Sequence, residues 1–122
     1  MKTQILVVDD ENSVRELLLT FLKDRGFSVA GAKDGHEALE LAQKLKPQMI
    51  FLDIAMPGLN GIETLRRLRK ETPESNVIMI SGHADHDMAL AALDLGAFDF
   101  IKKPFDLAYL QNVVLLKMTI SQ

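Results

Sequence analysis

Short apolar runs alternate along the chain with longer segments whose apolar positions recur every three to four residues. The runs are "QILVV" (Gln4–Val8), "FSVAG" (Phe27–Gly31), "QMIFL" (Gln48–Leu52), "NVIMI" (Asn76–Ile80) and "FDFI" (Phe98–Ile101), and each has the length of a strand. The first, third and fourth are apolar almost throughout, which predicts strands covered on both faces in the middle of a parallel sheet. The second and fifth are mixed, as edge strands are.

Five helices are expected between and after them. Leu17, Leu18, Phe21 and Leu22 give the first an apolar stripe, and Gly26 stops it after Lys23 and Arg25, whose charge suits a helix C-terminus. "DGHEAL" opens the second with Asp34 as cap and Glu37 at the third helical position, and Asn60 and Glu63 repeat the device in "NGIETLRRL". Leu65 and Leu68 mark the buried face of that third helix, and Pro73 its end. The fourth runs from about Asp85 to Leu95 and closes at Gly96; the fifth starts at about Asp106. Right-handed crossovers then give a single (βα)5 domain over residues 1–122, a doubly wound parallel sheet with helices on both faces.

In such sheets, ligands bind beyond the carboxyl ends of the strands. Asp9, Asp10 and Glu11 follow the first run, Asp53 ends the third, Ser81 follows the fourth, and Lys102 and Lys103 follow the fifth. Taken singly, each has a plainer explanation: an Asp after a strand is usually a helix cap, Ser81 a turn residue and Lys103 a solvated loop residue. Together they do not. Clustered carboxylates repel one another unless a cation sits among them. Hard oxygen donors without a dedicated cage suit Mg²⁺, or Mn²⁺, which keeps several waters and commonly bridges to a phosphate. A nearby lysine and hydroxyl would serve such a phosphate.

Composition narrows the field. Cysteine is absent, which removes disulfides and thiolate metal sites. A net charge of −3 with scattered basic residues offers no footprint for nucleic acid, so DNA would have to be contacted by another domain or partner. No apolar run approaches the roughly 20 residues needed to span a bilayer, and a cytoplasmic protein with no membrane contact is expected. "HADHD" (His83–Asp87) could pass for a transition-metal site but reads better as a surface loop with Asp85 capping the fourth helix. His36 reads as solvated, and Met49, Met79, Met88 and Met118 as core or interface filler. Pro57, Gly58 and Gly61 are expected to shape the loop beyond Asp53.

The ordered motifs "ILVVDDE", "FLDIAMPGLNGIE", "VIMISGHAD" and "GAFDFIKKPFD" span the whole chain and resemble those of response regulator receiver domains of two-component signalling. The resemblance implies a flavodoxin-like fold of strand order 2-1-3-4-5. It implies that Asp53 accepts a phosphoryl group from a sensor histidine kinase or phosphotransfer protein, and that the domain is a switch catalysing only its own phosphorylation and dephosphorylation. Asp10 would ligate Mg²⁺ directly and Asp9 largely through water, with Asp53 and the backbone carbonyl of Ala55 completing the set. Ser81 would hydrogen-bond the phosphoryl group, Lys103 would pair with it, Phe100 would be the aromatic switch position, and the bond before Pro104 would be cis. Glu11 is left as a bystander that starts the first helix.

Ala55 and His83 occupy positions that vary within that family and are expected to tune the lifetime of the phosphoryl group. The output surface would be the fourth helix, fifth strand and fifth helix, through which an effector domain or downstream protein, or a second copy in a homodimer, would be controlled. Tyr109 and "VVLL" (Val113–Leu116) predict surplus apolar surface there. "MALAAL" and "YLQNVVLL" lack the basic residues typical of winged-helix factors, so the chain looks more like receivers of enhancer-binding ATPase activators in transcriptional regulation. Two other classes fit worse. A haloacid-dehalogenase-like hydrolase would want an Asp where Ala55 stands, and a flavodoxin-like cofactor binder a phosphate loop where Asp9 and Asp10 stand. A degenerate receiver acting as an inert interaction module would usually lack an Asp or the Lys.

Overall fold

The computed structural model describes residues 3–54, 60–82, 86–103 and 106–121, with side chains at all of these except 86 and 116–121. Strands and helices alternate without exception: β1 (Ile5–Val8), α1 (Asn12–Asp24), β2 (Val29–Ala32), α2 (Gly35–Leu45), β3 (Met49–Asp53), α3 (Gly61–Glu71), β4 (Asn76–Ser81), α4 (His86–Asp94), β5 (Asp99–Lys102) and α5 (Leu107–Ser121). All strand pairs are parallel, in the order β2-β1-β3-β4-β5. The mixed runs are indeed the edges and the apolar runs the centre. Burial explains this: β1 and β3 are buried at every position, whereas β2 is only partly covered.

Alternation of side chains along the central strands divides the core in two. Leu6, Val8, Ile50, Leu52, Val77 and Met79 face α2, α3 and α4, which contribute Leu39, Ala42, Leu65, Leu68 and Ala92. Ile5, Val7, Met49, Phe51, Ile78 and Ile80 face α1 and α5, which contribute Leu18, Phe21, Leu22, Leu110, Val113 and Val114. Met49 and Met79 are thus core residues, and Met88 packs against the first of these clusters.

Helix ends follow the predicted chemistry. Asp34 Oδ1 accepts the Glu37 N–H at 2.9 Å, and Asn60 Oδ1 accepts the Glu63 N–H at 2.9 Å. Gly26 and Gly96 take the left-handed backbone that ends α1 and α4, with φ of 92° and 102°. Two expectations need correction. Leu17 is exposed rather than part of the buried stripe, because the face turned to the sheet is set by Leu18, Phe21 and Leu22, and Leu17 precedes it by one 100° step. The second strand lies at Val29–Ala32, later than Phe27–Gly31, because its register is fixed by pairing of Ile5 with Val29 and of Val8 with Ala32.

Candidate functional site

Strand register builds the site. Val8 pairs with Leu52, Asp53 with Ile80 and Ser81 with Lys102, so Asp9, Asp53, Ser81 and Lys103 emerge side by side at one end of the sheet. The ladder extends past the strands themselves: Asp9 N–H donates to Ala32 O at 3.1 Å, and Lys103 N–H to Ser81 O at 2.8 Å.

Asp9 and Asp53 are buried and Asp10 is exposed. Oxygens of the three carboxylates lie within 4.8 Å of one another. Lys103 reaches in with its Nζ 2.9 Å from Asp9 Oδ2, 3.4 Å from Glu11 Oε1 and 3.6 Å from Asp53 Oδ2. Burial alone would lower the pKa of this ammonium. The hydrogen bond to Asp9 and the charges of Asp53, Asp9 and Glu11 outweigh that cost and hold it above the ordinary lysine value. One ammonium among so many carboxylates leaves the mouth negative, and a divalent cation with oxygen ligands fits that donor set.

Two features were not legible from the motifs. Glu11 is no bystander: it stands at the N-cap of α1 but makes no side-chain cap there, and its carboxylate turns to Lys103 instead. The other Asp9 oxygen accepts the Glu11 N–H at 2.9 Å, and Arg15 Nη1 donates to the Asp9 backbone carbonyl at 2.7 Å. Arg15 lies six residues from Asp9, and no spacing rule singles it out. Ser81 is fully buried at the end of β4, and Phe100 is half-buried on β5, opposite Met79. With a side-chain period of two, Met79, Ser81 and Phe100 share one face of the sheet. Ala55, His83, Asp85 and Pro104, with Pro57 and Gly58, lie outside the described residues.

The family model for response regulator receiver domains matches residues 5–115. The chain belongs to this family. The receiver domain is 44% identical over 108 residues to the nitrogen assimilation regulatory protein NtrX of Azorhizobium caulinodans, covering 87% of this chain and 24% of that protein. It is 38% identical over 106 residues to the chemotaxis protein CheY of Thermotoga maritima, covering 86% and 88%. A solved response regulator from Burkholderia pseudomallei, with a phosphorylated aspartic acid, a calcium ion and citrate, superposes with a TM-score of 0.84 at 27% identity, covering 89% of this chain and 64% of that one. The receiver domain thus spans about a quarter of NtrX but most of CheY. Receiver domains of response regulators are signalling switches of two-component systems rather than classical enzymes, partnered by histidine kinases, and they bind Mg²⁺ through an Asp cluster; here Asp9, Asp10 and Asp53 are grouped closely enough that they could hold a metal ion. Among the described residues no helix is long and apolar enough to cross a membrane.

Proposed function

We infer that residues 1–122 act as one phosphorylation-activated switch in which Asp53 is the phosphoacceptor. The observation that carries this is the placement of a buried Asp53 at the end of a central strand, clustered with Asp9 and Asp10 and 3.6 Å from the Lys103 ammonium. The phosphorylated aspartic acid of the Burkholderia relative supports it. In the transfer, an Asp53 carboxylate oxygen forms a bond to phosphorus while the P–N bond to the donor histidine breaks. The imidazole leaves with the electron pair and takes up a proton. Little covalent work falls to the protein, so its contribution is position and charge. Lys103 offsets charge on the incoming oxygens, and burial keeps water from Asp53. Mg²⁺, or Mn²⁺ in its place, would be held by Asp9, Asp10, Asp53 and the Ala55 carbonyl, and would neutralise the repulsion between carboxylates and phosphoryl oxygens.

Once Asp53 is phosphorylated, Ser81 donates to the phosphoryl group and Phe100, on the same sheet face, moves into the space released. Inverting a 1:99 population needs about 5.5 kcal/mol, within reach of a few charge-assisted hydrogen bonds. The output face is α4-β5-α5. Of the six exposed large hydrophobic side chains among the described residues, Leu90 and Leu93 lie on α4, Phe98 immediately precedes β5, Tyr109 and Leu115 lie on α5, and only Leu17 lies elsewhere. That concentration supports docking of an effector domain or a second copy. The output is control of an effector domain or downstream protein in transcriptional regulation, with any DNA contacted by another domain or partner. Ala55 and His83 set the phosphoryl lifetime, a role excluded if Ala55→Asn and His83→Ala dephosphorylate at the wild-type rate.

Incubation with acetyl phosphate, with and without Mg²⁺, followed by intact mass measurement, tests the core of this reading. One added phosphoryl group is expected, dependent on Mg²⁺ and lost in Asp53→Ala. No addition, or addition that survives the substitution, refutes it.

A further inference from the structure

The backbone that carries Asp53 is gripped from two sides. On the β4 side, the Ile54 N–H donates to the Ile80 carbonyl at 3.2 Å. On the other, the N–H of Gly61, the first residue of α3, donates to the Ile54 carbonyl at 2.9 Å. This second approach is close enough to exclude any side chain. A Cβ added to Gly61 would stand 2.4 Å from Ile54 Cα, 2.5 Å from the Asp53 carbonyl oxygen and 2.8 Å from the Ile54 carbonyl oxygen. All three are backbone atoms, so no rotamer change relieves the clash. Restoring ordinary contact, which starts at 3.4 Å, requires movement of about 1 Å between α3 and the end of β3. α3 is anchored by the Asn60 cap and by buried Thr64, Leu65 and Leu68, so part of that movement falls on the Asp53–Ile54 peptide.

We propose that Gly61 is a positioning residue for Asp53: by lacking a side chain it lets the start of α3 clamp the Asp53–Ile54 peptide, which fixes the Asp53 carboxylate relative to Asp9, Asp10 and Lys103. This rests on Asp53 being the phosphoacceptor. It also gives the expectation that Gly61 shapes the chain beyond Asp53 a specific cause, since the missing side chain makes room for backbone. A displacement of about 1 Å is enough to cost about 100-fold in a reaction that depends on alignment.

The test compares Gly61→Ala with Gly26→Ala in the whole chain. Gly26 has a φ of 92° and nothing within 4 Å of an added Cβ, so that control strains the backbone at the far end of α1 without touching the site. With acetyl phosphate and Mg²⁺, Gly61→Ala is expected to lower the rate at saturating donor about 100-fold, with the half-saturating donor concentration unchanged. Gly26→Ala should keep the wild-type rate despite its lower stability. A wild-type rate in Gly61→Ala, or an equal loss in Gly26→Ala, overturns the proposal. Hydrogen exchange in the wild type supplies a readout independent of turnover and of whether Gly61→Ala folds. A Gly61 amide protected like those of β3 supports the clamp, and one exchanging like an open loop overturns it. Should the wild type take up no phosphoryl group, the phosphoacceptor reading fails while the exchange result still judges the clamp.

Discussion

Without a bound cation, Asp53 sits in the unfavourable field of Asp9 and Asp10, and Asp53→Asn should therefore stabilise the protein. Asparagine keeps the shape and removes the charge. Asp53 lies within 4.8 Å of both Asp9 and Asp10 and 3.6 Å from Lys103. At an effective dielectric constant of about 20, each repulsion is worth about 3.5 kcal/mol and the attraction about 4.6 kcal/mol, a net repulsion of about 2.4 kcal/mol. Asp10 is exposed, so water screens its share. The expected gain is about 1–2 kcal/mol. Urea denaturation in EDTA should show it as a midpoint raised by about 0.5–1 M, for a slope of about 2 kcal/mol per molar. Raising the salt concentration should shrink the difference. Added Mg²⁺ at about a hundred times the wild-type Kd should then stabilise the wild type by about 2.7 kcal/mol, and the variant by less. An Asp53→Asn variant no more stable than wild type in EDTA would show that Lys103 already neutralises the cluster, which would then need no cation.

Two further outcomes follow from the geometry. The Lys103 pKa is raised because, although burial lowers it, Asp9, Asp53 and Glu11 more than compensate. A group with a raised folded pKa contributes stability that is complete below its unfolded value and is lost as pH climbs through the folded one. Lys103 should therefore stabilise the fold at neutral and mildly alkaline pH and stop doing so only above the ordinary lysine range. Carbon-13 NMR at Lys103 Cε should place its titration there and move it down in Asp9→Asn; a wild-type titration at or below the ordinary value contradicts the reading. At the other end of α2, Lys46 holds a left-handed φ of 47° as the C-cap. Lys46→Gly should stabilise by about 0.5–1 kcal/mol, the relief of strain less the added chain entropy. Thermal unfolding with no gain would show that Lys46 meets no strain there.

Local chemistry carried most of the architecture. Alternation of apolar runs with helical periods is enough to give five βα units, because each strand buries both faces or one, and each helix one stripe. Asp34, Asn60, Gly26 and Gly96 mark helix ends through bonds to atoms within a few residues, so sequence spacing alone finds them. Asp9, Asp10, Asp53, Ser81 and Lys103 are legible as a set because parallel strands all end on the same side. Lys46 escaped notice because nothing in its side chain marks a left-handed cap.

What the chain could not reveal by itself depends on distances between elements. Lys103 lies ninety-four residues from Asp9, and only the folded sheet makes Asp9 its nearest carboxylate, with Asp53 farther off. Glu11 joined the site, and Arg15 came to hold the Asp9 backbone, because α1 starts against the mouth of the sheet. Gly61 is the clearest case. Its sequence context says only that a helix begins there, whereas the packing of that helix start against the Asp53–Ile54 backbone makes a missing methyl group decide where the nucleophile stands.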